Sequence, residues 1–169
     1  MSLQTALDFT LQREGGYVNN PRDRGGATNY GITQRTYDSW QISHGEQRKD
    51  VRYIDMETVS AIYEHDYWNA AHCDSMPDKL GIVVFDTAVN SGVSHAIKAL
   101  QECLGIGPDG VWGAKTATAL QDADESTLVA SYIDARRDYC EDIVERNPGQ
   151  TVFLKGWLAR CDALQEAVA

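Results

Sequence analysis

The chain has 169 residues, 43% hydrophobic and 24% charged, with a net charge of −10, so one globular domain, or one domain with a small appended half, is the expectation. The charge is uneven: residues 1–50 set six Lys/Arg against six Asp/Glu, whereas residues 51–169 set nine against nineteen. This disfavours a nucleic-acid partner, because phosphate binding wants a basic face, and no apolar run approaches the length of a membrane span.

The opening stretch MSLQTALDFTLQRE lacks a basic n-region, a continuous apolar core and a small-residue cleavage site. No conventional signal peptide is read there, so the expected place of synthesis and folding is the cytoplasm. Ser2 is placed to cap a first helix with Leu3, Leu7 and Leu11 on one face. That helix is expected to stop at Gly15–Gly16, since glycine is the usual residue just past a helix end. Residues 17–32, rich in Gly, Asn, Pro and Asp, read as a loop or small β-hairpin.

Thr33 is placed to cap a helix reaching about Ser43, followed by a polar loop over 44–51. Asp55 caps the next helix, with Ile54 and Val59 spaced as a hydrophobic staple and Ile62, Tyr63 and Tyr67 continuing the period to about Ala70. Pro77 suits the first turn of a helix over 77–91. The apolar run Leu80, Ile82, Val83, Val84, Phe85, Ala88 and Val89 makes that helix the buried centre; a parallel-type strand over 82–86 is the alternative. Ser94 starts a helix ending at Gly105, DGVWG (109–113) is a turn, and helices follow near 114–122, 125–146 and 150–167, the last two parted by Asn147–Pro148–Gly149. Cys73, Cys103, Cys140 and Cys161 are far apart with no CxxC, so reduced structural thiols are expected and no zinc site. The class is mainly α with a small β excursion near the N-terminus.

The stretch QREGGYVNNPRDRGGATNYGIT (12–33) carries the chemistry. Glu14 falls at the C-terminal end of the first helix, where the helix dipole disfavours a negative charge by up to about 1 kcal/mol; a general acid must hold its proton near neutral pH. Asp23 lies in a polar loop between Arg22 and Arg24, surroundings that favour the ionised form. One carboxyl held neutral beside one held charged is the arrangement used to hydrolyse glycosidic bonds. Thr28 offers a hydroxyl to position water, and the glycines let the backbone approach a bulky sugar chain. Each residue also has a plainer reading: Glu14 as a surface residue at a helix end, Asp23 as a turn former.

The whole string EGGYVNNPRDRGGATNYGIT resembles the N-terminal signature of glycoside hydrolase family 108, bacterial and phage N-acetylmuramidases with a lysozyme-like fold. AIYEHDYW (61–68) and FDTAVNSG (85–92) are similar to further segments of that family. LQECLGIGPDGVWGAKTATAL (100–120) resembles the peptidoglycan-binding-type region that accompanies it. Asn20 stands where many members have Asp, and Ala114 replaces a frequent proline.

The resemblance implies a lysozyme-like helical fold with a small N-terminal β-hairpin. It implies a catalytic part over 1–93 and a helical peptidoglycan-binding-type part over 94–169, packed into one globular unit. It implies Glu14 as catalytic acid and assigns Asp23 and, through a related Glu, Asp, Thr order in phage-type lysozymes, Thr28 to the same site. Tyr17, Tyr30 and Trp68 are candidates to stack on sugar rings, with core packing the other reading for Trp68. Asn90 and Ser91, at the end of the central helix, either hydrogen-bond the glycan or simply terminate the helix. No cofactor or metal is implied. The expected partners are peptidoglycan glycan strands, with a holin or export machinery giving passage to the periplasm or wall, and the expected state is a monomer. A lytic transglycosylase of similar fold and a non-catalytic wall-binding protein are the competing readings.

Overall fold

The computed structural model describes residues 2–19 and 26–169. Asp23 therefore lies outside the described residues. Within them the chain is mainly helical, with one two-stranded antiparallel ladder, in line with the expected class. It divides into two compact units, Leu7–Asp66 and Tyr67–Ala169, the latter including the residues up to Ala6.

The smaller unit takes α1 (Ser2–Leu11) from Leu7 onward, then β1 (Thr28–Asn29), β2 (Ile32–Thr33), α2 (Gln34–Ser43), a 3-10 turn at Val51–Tyr53 and α3 (Met56–Tyr63). The helix starts are those the sequence predicts: the Thr33 hydroxyl accepts the Thr36 amide at 3.1 Å and the Asp55 carboxylate accepts the Thr58 amide at 2.8 Å, each satisfying a donor the helix leaves unpaired. Buried Gln41 bridges the polar loop, donating to the Gln47 carbonyl at 2.9 Å and accepting the Lys49 amide at 3.0 Å. Phe9, Ile32, Tyr37, Val51, Val59 and Ile62 form the core.

The end of α1 departs from expectation. Its last helical residue is Leu11, and neither Gly15 nor Gly16 adopts positive φ. The last turn tightens instead: the Arg13 amide donates to the Thr10 carbonyl at 3.0 Å, and the Arg13 guanidinium takes the Phe9 carbonyl at 2.8 Å while lying 3.6 Å over the Phe9 ring. The side chain thus does the work assigned to a glycine cap, and Glu14 sits just past the helix, its amide still bonded to Thr10 at 3.2 Å.

The larger unit is built on α4 (Asp78–Ser91), α5 (Val93–Cys103), α6 (Ala114–Gln121), α7 (Glu125–Arg146) and α8 (Thr151–Ala167). The 82–86 run lies within the helix, and residues Leu80–Ala88 are all buried, with α5 and α7 both packed against α4; a helix covered by other helices can be apolar all round. Two starts differ by a residue. Pro77 is the cap before α4, its carbonyl accepting the Gly81 amide at 2.9 Å, and α5 starts at Val93 behind Gly92, leaving Ser94 in its first turn. The DGVWG turn is held by buried Gln101, which donates to Asp109, Val111 and Thr116 and accepts the Gly110 amide at 2.9 Å. All four cysteines are free thiols.

At the centre of this unit Asp86, fully buried, accepts from Arg136 at 2.6 Å and from Arg160 at 2.7 Å. Burial pushes its carboxyl pKa up, but Arg136 and Arg160 outweigh burial and leave it below its ordinary value.

Candidate active site

Glu14 is half-buried, and a tight hairpin defines its surroundings. β1 and β2 pair antiparallel, with Thr28 opposite Thr33 and Asn29 opposite Ile32, so Tyr30 and Gly31 alone make the turn. Their φ values are +49° and +75°, the signature of a type I′ turn, whose twist matches that of the strands it joins. Glycine suits the second position on two counts. Positive φ costs it little, and a Cβ there would lie 2.6 Å from the Tyr63 hydroxyl and 2.8 Å from the Glu14 carboxylate. The bare Cα is therefore what lets the carboxyl and the phenol meet the hairpin turn at one point.

The remaining contacts fix that turn. The Tyr63 hydroxyl, from the end of α3, donates to the Tyr30 carbonyl at 2.9 Å. Buried Asn29 donates to the Val51 and Arg52 carbonyls, each at 3.2 Å. Val18 and Thr28 exchange two backbone hydrogen bonds of 2.8 Å, which bring the segment after Glu14 back alongside β1. Three separate pieces of chain thus hold the turn against which the Glu14 carboxyl rests.

Glu14, Tyr17, Thr28 and Tyr30 all belong to the Leu7–Asp66 unit, with Thr28 and Tyr30 half-buried on the hairpin. Tyr17 is half-buried with Arg52 over its ring, 4.5 Å from the centroid and 3.1 Å from the hydroxyl, so one aromatic face is already occupied. Trp68 is a correction: it is 1% exposed, its indole donates to Asp74 at 2.7 Å and its ring packs against Phe85. A sugar has no face of that ring to stack on, and Trp68 is core. Asn90 and Ser91 are exposed at the end of α4 in the other unit.

Gly31, Tyr63, Asn29 and Arg52 were not foreseen as parts of the site. The only signal for Tyr63 was a helical period, which marks a buried face and not where a hydroxyl ends. The smaller unit also holds a pocket of about 420 Å³ lined by Arg35, Trp40, His44, His65 and Asp66, with the His44 ring stacked 4.1 Å from Trp40; Glu14 does not line it. Among the described residues, no group of three His, Cys, Asp or Glu side chains is placed to hold a metal, and no helix is long and apolar enough to cross a membrane.

Two family descriptions match successive parts of the chain: Glycosyl hydrolase 108 over residues 7–92 and Predicted Peptidoglycan domain over residues 95–162. Among solved structures, that of SagA from Brucella abortus is similar over 98% of this chain and 92% of its own, at 31% identity and a TM-score of 0.80. No curated protein matches. With the helical fold, these matches show that the chain belongs to glycosyl hydrolase family 108 and is a peptidoglycan hydrolase, a glycoside hydrolase whose C-terminal part matches a peptidoglycan domain.

Proposed function

We propose that the protein is an N-acetylmuramidase that cleaves the β-1,4 bond between N-acetylmuramic acid and N-acetylglucosamine. Glu14 is the general acid that protonates the glycosidic oxygen as the bond breaks. Asp23 acts as the ionised partner, assisting attack by water or stabilising the positive charge on the sugar ring, and Thr28 positions water. Tyr17 and Tyr30 contact the sugar chain. The enzyme works as a monomer on the wall, reached through a holin or export machinery.

The observation that carries this reading is the seat of Glu14. A half-buried carboxyl rests against the Tyr30–Gly31 turn beside the Tyr63 hydroxyl, with the turn itself fixed by Tyr63 and Asn29. A general acid needs that fixed position, because a proton reaches a leaving oxygen only across a hydrogen bond of about 3 Å. Digestion of purified sacculi by wild type and Glu14→Gln, with products identified by mass spectrometry, tests it. Reducing N-acetylmuramic acid ends are expected from wild type, with a rate lower by roughly 10²-fold or more in the mutant. Anhydro ends from wild type, or an unimpaired mutant, would overturn it.

A further inference from the structure

The C-terminal part matches a peptidoglycan domain as a whole, without a place on it for the ligand. A pocket of about 410 Å³ in the larger unit supplies one. It lies among the end of α4, α7 and α8 and is lined by Asn90, Arg136, Tyr139, Ile143, Trp157 and Arg160, among others. We propose that this pocket binds a carboxylate of the peptidoglycan stem peptide, gripped by Arg136 at its base with the adjoining peptide against Trp157 and Tyr139.

Arg136 is set up for this. Its side chain is 8% exposed and held by Asp86, yet only one of its guanidinium nitrogens is spent, donating to Asp86 at 2.6 Å and Thr87 at 3.3 Å. Its other nitrogens have no protein partner, and no buried side-chain nitrogen among the described residues lacks one, so these donors open to accessible space. A guanidinium already locked in place, largely desolvated and with donors to spare, selects a planar anionic acceptor. The rest of the lining sets the size and character of the ligand. Tyr139, Ile143 and Trp157 offer apolar surface, and exposed Phe153 stacks on Trp157 at 6.0 Å, extending it along α8. Asn90, on the rim, donates to the Asp86 carbonyl at 3.3 Å and keeps a carbonyl oxygen able to accept a peptide N–H. A single carboxylate on a short amide chain fits this lining.

This inference rests on the peptidoglycan reading, and its test separates the two. A soluble disaccharide–tripeptide muropeptide is titrated calorimetrically into the full chain, once with its peptide carboxylates free and once amidated, while hydrolysis of sacculi is followed independently. The free acid is expected to bind about tenfold more tightly than the amide, the size of one charge-assisted hydrogen bond. Trp157→Ala is expected to weaken both forms, and Arg136→Lys, checked for its melting temperature, to lose the preference for the acid. Equal affinity for acid and amide, no binding of either, or an unaffected Trp157→Ala would overturn the pocket while hydrolysis of sacculi left the peptidoglycan reading intact. Acid-selective binding without reducing-end release would keep the pocket and overturn the muramidase.

Discussion

The two units are held together by different means. Tyr67–Ala169 has helices of up to 22 residues and a fully buried carboxylate shared by two arginines fifty and seventy-four positions away. Leu7–Asp66 has strands of two residues, helices of ten or fewer, and side chains bonded to backbone: Asn29 to Val51 and Arg52, Gln34 to Lys49 and Val51, Gln41 to Gln47 and Lys49. Long-range charge organises the one, and local polar contacts the other. The lesson is that the candidate catalytic carboxyl stands in the part whose geometry is set residue by residue, where a fixed turn rather than a deep core places it.

The largest stability effect should come from breaking the charge organisation of the helical unit. Asp86→Asn leaves buried Arg136 and half-buried Arg160 without their carboxylate, and removing one partner of a buried pair costs about 3–5 kcal/mol. The pH dependence follows from the lowered Asp86 pKa. A carboxyl depressed in the folded state contributes its full stability above the unfolded value of about 3.9 and loses it as pH falls through the folded value. Urea melts between pH 2 and 7 should therefore show wild type losing stability below about pH 4, and Asp86→Asn losing less there from a lower start. Equal acid limbs in the two proteins would remove Asp86 as the organiser of this unit.

The next effect belongs to the smaller unit and should fall on activity more than on stability. Gly31→Ala puts a methyl group at positive φ, at about 1–2 kcal/mol, and 2.6–2.8 Å from the Tyr63 hydroxyl and the Glu14 carboxylate. Those side chains must move, and a displacement of about 1 Å at a reacting group can cost roughly 10²-fold in rate. The expected result is a folded protein, slightly less stable, that releases reducing ends far more slowly. A mutant losing stability but retaining its rate would show that the turn does not set the position of the acid.

These contrasts also explain what was legible beforehand. Signals confined to a few neighbouring residues read well: the caps at Thr33 and Asp55, and the stop at Gly105. There the C-terminal glycine rule holds, with φ +70° and the Gly105 and Ile106 amides donating to Glu102 and Gln101 at 3.0 Å each. The same rule failed at Gly15 because Arg13 ends α1 first, through a side-chain reach that no pattern of residue types records. Trp68 was ambiguous because a helical period marks a buried face and a sugar-stacking face alike; only its burial and the Asp74 bond decide. The Asp86 triad was invisible, since its members are joined by the packing of α4, α7 and α8 and not by spacing. At the candidate site the motif gave Glu14 its place in the chain, while its neighbours Gly31 and Tyr63 come from a hairpin and a helix that only folding brings together.

The smallest effect tests how local the smaller unit is. Thr33→Ala removes the side-chain acceptor for the Thr36 amide, a loss of about 1 kcal/mol at a helix N-cap. If Leu7–Asp66 is held residue by residue, the loss should stay near where it is made. Hydrogen exchange should quicken at the first amides of α2 and at Val51, whose amide is held at 2.7 Å by Gln34 in the first turn of α2. The buried stretch of α7 around Tyr132 and Arg136 should exchange at its wild-type rate, because local openings need not pass through global unfolding. A uniform rise across α2 and α7 would mean that the chain opens as one cooperative body. The contrast between locally and globally organised units would then describe the bonding but not the energetics.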